Sequence, residues 1–139
     1  MKKELKCIML IDDDKSDNFF HEREIRKADL STSVIIIDSA IDALAYLKSM
    51  KEKKDLQPDL IFLDINMPRM NGWEFLLEFS LLDRVIQSNT MIMILTTSNN
   101  LTDRFRAKEW SFVSGYLTKP LTKEIMTDIH KTYFLQKDI

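Results

Sequence analysis

Glycine is nearly absent: the 139 residues hold only Gly72 and Gly115. Neither G-x-G-x-x-G nor G-x-x-x-x-G-K-[ST] can be written with them, which excludes the glycine-rich phosphate cradles of nucleotide-binding modules. Proline is almost as scarce, with Pro58, Pro68 and Pro120. With so few breakers, regular elements must fill most of the chain. The one cysteine, Cys7, cannot close an internal disulfide, and its apolar setting suits a small buried hydrophobe in a reducing compartment. No apolar run approaches the ~18 residues of a membrane span. The start, MKKELKCIMLIDDD, turns from basic to apolar but ends in aspartates, not in the small residues of a signal cleavage site. A net charge of −2 exerts no global pull toward nucleic acid or anionic membrane. The expectation is a cytoplasmic protein of one domain, residues 1–139, without nucleic-acid or membrane partners.

Among what is present, apolar runs alternate with helical patterns. Residues 6–11, 33–38, 59–64, 90–96 and 113–118 read as strands. Residues 15–29, 40–51, 72–84, 101–110 and 121–135 read as helices, with Asp14 as an N-cap and Asn100 and Asp103 spaced like a cap and its partner. The helix at 72–84 is apolar nearly all round, so it should be largely covered or present a sticky face. KEKKDLQP, before the third strand, reads as a solvated connection. Several strands are continuous apolar runs, the pattern of a parallel sheet covered on both faces. Right-handed crossovers then give an α/β, doubly wound, five-stranded sheet.

In such sheets ligands sit beyond the C-terminal strand ends. The first strand ends in Asp12 and Asp13, the second in Asp38, the third in Asp64. The fourth ends in Thr96 and Thr97, the fifth in Thr118 and Lys119. If the first and third strands are neighbours, Asp12, Asp13 and Asp64 meet at one edge, with Lys119 opposite and a threonine hydroxyl between. Clustered carboxylates repel unless something pairs with them, and three together suit a hard divalent cation such as Mg²⁺. A lone lysine suits a phosphoryl oxygen. The set reads as a phosphoryl-transfer site whose nucleophile is a carboxylate. Asp14 and Asp17 read as a cap and a first-turn charge, and Asp38 as a turn residue.

These positions, in context, resemble the receiver domain of two-component response regulators. LIDDD resembles the acidic pair after strand 1, and PDLIFLDINMPRMNGWEFL the central motif in which D-x-x-M-P-x-x-x-G begins at the phosphorylated aspartate. ILTTS and GYLTKPL resemble the ends of strands 4 and 5. The resemblance implies a flavodoxin-like sheet of order 2-1-3-4-5 with helices on both faces. It implies that Asp64 is the phosphoacceptor. Asp13 would bind Mg²⁺ directly, Asp12 directly or through water, Asp64 as a third ligand, and Asn66 through its backbone carbonyl. Lys119 would contact phosphoryl oxygens, Thr96 would be the switch hydroxyl, Tyr116 its aromatic partner, and Thr97 the small residue beside the site. The Lys119–Pro120 bond would be cis. The donor would be a sensor histidine kinase or a histidine phosphotransfer protein, and the output a downstream protein target or onward relay. The chain would be a monomer or weak homodimer, and a signalling switch that catalyses only its own phosphorylation and dephosphorylation.

Two departures stand out. Where the family carries a Gly-Ala pair before strand 5, this chain has EWSFVSGY, with one extra residue between strand 4 and Lys119. Counting back from Lys119 selects Thr97 as the switch hydroxyl, and counting along strand 4 selects Thr96. Thr96 is preferred, because an insertion is easier in a loop than in a strand. Trp110 and Phe112 are bulky on the face where such domains signal. An alternative is a phosphatase using the Asp12/Asp14 pair, but the chain is short for a substrate cap. A degenerate receiver would have no reason to keep Asp12, Asp13, Asp64 and Lys119 together. Only QKDI follows residue 135, so no output domain is expected.

Overall fold

The computed structural model describes residues 2–28 and 31–136. The elements run β1 (Cys7–Ile11), α1 (Lys15–Lys27), β2 (Ser33–Ile37), α2 (Ala40–Ser49), β3 (Leu60–Leu63), α3 (Gly72–Ser80), α4 (Arg84–Asn89), β4 (Met91–Thr96), α5 (Leu101–Ala107), β5 (Val113–Thr118) and α6 (Lys123–Tyr133). All strand pairs are parallel, in the order β2-β1-β3-β4-β5. The sheet order and layering match the expectation from sequence.

The continuous apolar runs divide by residue parity between two cores. Met9, Ile11, Ile61, Leu63, Ile92 and Ile94 pack with α2, α3, α4 and α5 on one face. Ile8, Leu10, Leu60, Phe62, Met93 and Leu95 pack with α1 and α6 on the other. Successive strand side chains point to opposite faces, so a strand buried on both sides has no polar position to spare. Among the described residues no helix is long and apolar enough to cross a membrane.

One expected helix is two. The run at 72–84 breaks after Ser80, and Asp83, with non-helical backbone, accepts from the Val85 amide to cap the short α4. An N-cap needs non-helical backbone, so a capping aspartate ends one helix as it begins the next. Trp73, Phe75, Leu76 and Phe79 are buried, while Leu77 is 53% and Leu81 73% exposed. The α3 helix is thus covered on one side only. The helix expected over 15–29 stops at Lys27, and its last residue, Asp29, lies outside the described residues. The connection before β3, expected to be solvated, holds one 3-10 turn, Lys54–Leu56, and buries Gln57 and Pro58 at its end, where the Gln57 amide donates to the Met50 and Lys51 carbonyls.

The extra residue before Lys119 has a visible place. Ile92 pairs with Val113 but Met93 pairs with Gly115, so Ser114 is left out of the β4–β5 ladder. The expectation put the insertion in a loop; the structure carries a one-residue excess inside the strand, as a bulge at the sheet edge, where bulges disturb pairing least. Beyond it the register places Thr96 opposite Thr118.

Gly72 opens α3 directly behind the β3 end. Its φ is not positive, so glycine is required here for space and not for backbone freedom. A Cβ would lie 2.6 Å from Ile65 Cα and 2.7 Å from the Asp64 carbonyl oxygen, both backbone atoms. Gly72→Ala should cost about 1–3 kcal/mol of stability through this overpacking. Gly115→Ala, whose Cβ would meet only the Met93 side chain at 3.6 Å or more, should cost much less. Urea denaturation of both variants is the check.

Candidate functional site

Backbone hydrogen bonds continue the ladders one step beyond the strands. The Asp12 amide donates to Ile37 O, the Asp64 amide to Ile11 O, and the Lys119 amide to Thr96 O. These three bonds set Asp12, Asp64 and Lys119 at one level along the C-terminal edge. The edge also contains the point where strand order reverses, between β1 and β3, at which α/β sheets bind ligands.

Side-chain bonds then aim the carboxylates. Asp12 Oδ1 accepts from the Asp14 amide at 3.0 Å, and Asp64 Oδ1 from the Asn66 amide at 3.1 Å. Asn18 donates to the Asp12 carbonyl at 2.8 Å. Asp12 and Asp64 are buried and Asp13 is exposed. One oxygen from each of these three aspartates lies within 4.8 Å of the others. Two ligands on opposite sides of a small divalent cation at ~2.1 Å stand ~4.2 Å apart, so this set could close on such an ion with sub-ångström movement.

Lys119 is the counter-charge. Its Nζ lies 2.6 Å from Asp12, 2.7 Å from Asp17 and 3.3 Å from Asp64. Burial opposes its charged form, but the hydrogen bonds to Asp12 and Asp17 and the charges of Asp64 and Asp12 outweigh burial and hold the ammonium pKa well above its ordinary value. Asp12 is pushed up, first by burial and further by the Asp64 charge; Lys119 and the Asp14 amide only partly offset this. Four carboxylates against one ammonium leave three negative charges in excess, which an added cation would relieve.

Thr96 is fully buried, and its Oγ1 accepts from the Ser98 amide at 3.3 Å. Thr97 is exposed. The Tyr116 hydroxyl donates to the Ser98 carbonyl at 2.8 Å, and the Arg104 guanidinium lies 4.8 Å from its ring centre. Ser98 thus joins Thr96 to Tyr116 through its own amide and carbonyl, and its hydroxyl donates to Asp103 at 2.6 Å. Asn66 is exposed, and the Lys119–Pro120 bond is cis. Sequence reasoning missed Ser98, and it took Asp17 for a first-turn charge only. It also missed the capping box of Asn71 and Glu74 that starts α3 behind Asp64; the spacing of those two residues was the available signal.

Comparison with known proteins shows the family. Residues 8–131 match the response regulator receiver domain. Response regulator Rcp1 of Synechocystis is 31% identical over 115 residues, covering 82% of this chain and 76% of the relative. A two-component response regulator from Cytophaga hutchinsonii superposes with a TM-score of 0.85 at 26% identity, over 94% of this chain and 98% of that one. The manganese-bound form of Rcp1 superposes with a TM-score of 0.74 at 27% identity, over 96% and 98%. The chain belongs to the response regulator receiver family and is a phosphoryl-accepting domain of two-component signalling.

His21, one turn past Asp17 on α1, is also buried behind the site. Burial, then the Lys119 charge, lowers its pKa against the pull of Asp17, Asp12 and Glu24. The unfolded chain takes up this proton near the ordinary value of ~6.5, whereas the native protein resists until lower pH. Between the two, the unfolded state binds more protons, so stability falls as pH drops through that window. Acidification from about pH 7.5 to about pH 5.5 should therefore destabilise the native protein more than His21→Gln, as read from urea midpoints at each pH.

Proposed function

We propose that Asp64 is the phosphoacceptor of this receiver. What carries the reading is the convergence of Asp12, Asp13, Asp64 and Lys119 from three strand ends at one edge. The donor is a phosphohistidine, on a sensor kinase or on a histidine phosphotransfer protein. An Asp64 oxygen attacks phosphorus in line, the P–N bond breaks, and the imidazole takes the bonding electrons. Asp64 Oδ2, which faces the Lys119 ammonium, is the oxygen placed to react; Oδ1 is engaged by the Asn66 amide. Lys119 donates to the phosphoryl oxygens as charge builds on them.

Mg²⁺ would be held by Asp13, Asp64 and Asp12, with the Asn66 carbonyl and water completing the set. When bound, it supplies electrostatic relief to the carboxylates and to the phosphoryl group. Water near Asp64 hydrolyses the acyl phosphate and resets the domain.

The signal leaves through Thr96. A phosphoryl group on Asp64 offers new acceptor oxygens, and a Thr96 hydroxyl that turns to donate to one of them releases the Ser98 amide. The Ser98 carbonyl holds Tyr116, so the β4–α5 loop and the Tyr116 ring shift together. This is a population shift in a two-state element, read by a downstream protein on the α5–β5–α6 face. Thr96 is favoured over Thr97 by its burial and its place opposite Thr118.

Incubation with radiolabelled acetyl phosphate should label the protein, and Asp64→Asn should abolish the label. Label that survives the substitution refutes the assignment. Millimolar Mg²⁺ should raise the melting temperature of the unphosphorylated protein, by ~1–3 kcal/mol of linkage at saturating ion, and Asp64→Asn should reduce that shift. A scan with and without Mg²⁺ reads both.

A further inference from the structure

Lys119 is saturated. An ammonium has three protons, and three carboxylates stand around this one, at 2.6 Å (Asp12), 2.7 Å (Asp17) and 3.3 Å (Asp64). Two of them belong to the acidic cluster that could hold a cation; Asp17 does not. It comes from the first turn of α1, its amide bound to the capping Asp14 carboxylate, and its side chain is 36% exposed. The lysine side chain is 8% exposed. Asp17 therefore reaches inward from the rim to a nearly enclosed head group.

We infer that Asp17 is a positioning residue for phosphoryl transfer: it holds the Lys119 ammonium at the site while the other two partners change. The inference rests on the reading of Asp64 and Lys119 above. A cation bound by Asp12 draws on the same carboxylate that now makes the shortest bond to Lys119. Phosphorylation converts Asp64 to an acyl phosphate and puts phosphoryl oxygens where the third proton points. Only Asp17 keeps the same charge and the same partner before and after. A lysine is a point charge on a flexible stem, with no planar fork to orient it, so its direction depends on what surrounds the head. With Asp17 taking one proton, another stays aimed at Asp64.

Two other roles make different predictions. If Asp17 only complements the α1 dipole, its removal lowers stability and leaves phosphorylation alone. If it competes for Lys119, its removal speeds phosphorylation.

The experiment uses phosphoramidate as a small donor at saturating Mg²⁺, with Asp17→Ala, Asp17→Asn and Asp17→Glu. The alanine and asparagine variants should lower the maximal phosphorylation rate constant about ten-fold. Half-saturation for the donor and for Mg²⁺ should stay within about two-fold, and glutamate should recover most of the rate. In the metal-free protein, the Lys119 ammonium should give a slowly exchanging NMR resonance that is lost in Asp17→Ala. Rates equal to or above wild type in the alanine and asparagine variants overturn the inference, as does an ammonium signal unchanged by Asp17→Ala. So does a slow rate that glutamate does not rescue and that only follows a fall in melting temperature. The Asp64→Asn control separates the two levels. If it is labelled, the underlying assignment fails; if it is silent while the Asp17 variants behave as wild type, only this inference fails.

Discussion

The ammonium of Lys119 is the interaction on which the site depends. Asp12, Asp64 and Asp17 come from three different segments and would repel one another at that edge of the sheet. One nearly enclosed cation, from the residue just past β5, holds them together. Removing one partner of such a cluster leaves an uncompensated buried charge, which is far more damaging than the modest net worth of an intact pair. The excess of carboxylate over ammonium also leaves the cluster with a standing electrostatic demand. A divalent cation held by Asp12, Asp13 and Asp64 would meet that demand.

The scaffold meets this demand through backbone geometry. Parallel ladders that continue past the strand ends place Asp12, Asp64 and Lys119 at one height. The two apolar cores clamp the strands from both faces, so the edge has little freedom to spread. Gly72 lets the start of α3 approach the Asp64 carbonyl so closely that no side chain fits between. The loop from Asp64 to Asn71 is thereby pinned at both ends, to β1 through the Asp64 amide and to α3 through the capping box.

The route proposed for the output rests on fewer bonds. Ser98 carries the bonds between Thr96 and Tyr116 in an exposed loop, with single hydrogen bonds of 3.3 Å and 2.8 Å. A net hydrogen bond contributes only ~1 kcal/mol, so these two could be exchanged at little cost.

Much of this could be read from the order of residues alone. Apolar runs ending in Asp12, Asp64 and Lys119 announce strands with a loaded edge, because a parallel strand must be apolar throughout and its end is where polar groups can first appear. The D-x-x-M-P-x-x-x-G spacing around Asp64 marks the family, because the loop has to hold an acid and then admit a close helix. The break at Asp83 was hidden, since a cap within a strongly apolar stretch looks locally like more helix. The bulge at Ser114 was hidden because register belongs to a pair of strands and not to either one. Asp17 was ambiguous for the same reason. Its partner lies 102 residues away in the chain, and only the fold, which packs α1 against α6, turns a first-turn carboxylate into a ligand of the lysine. Local pattern determined the elements and the chemistry at their ends; the long-range packing of helices on the sheet decided which of those charges meet.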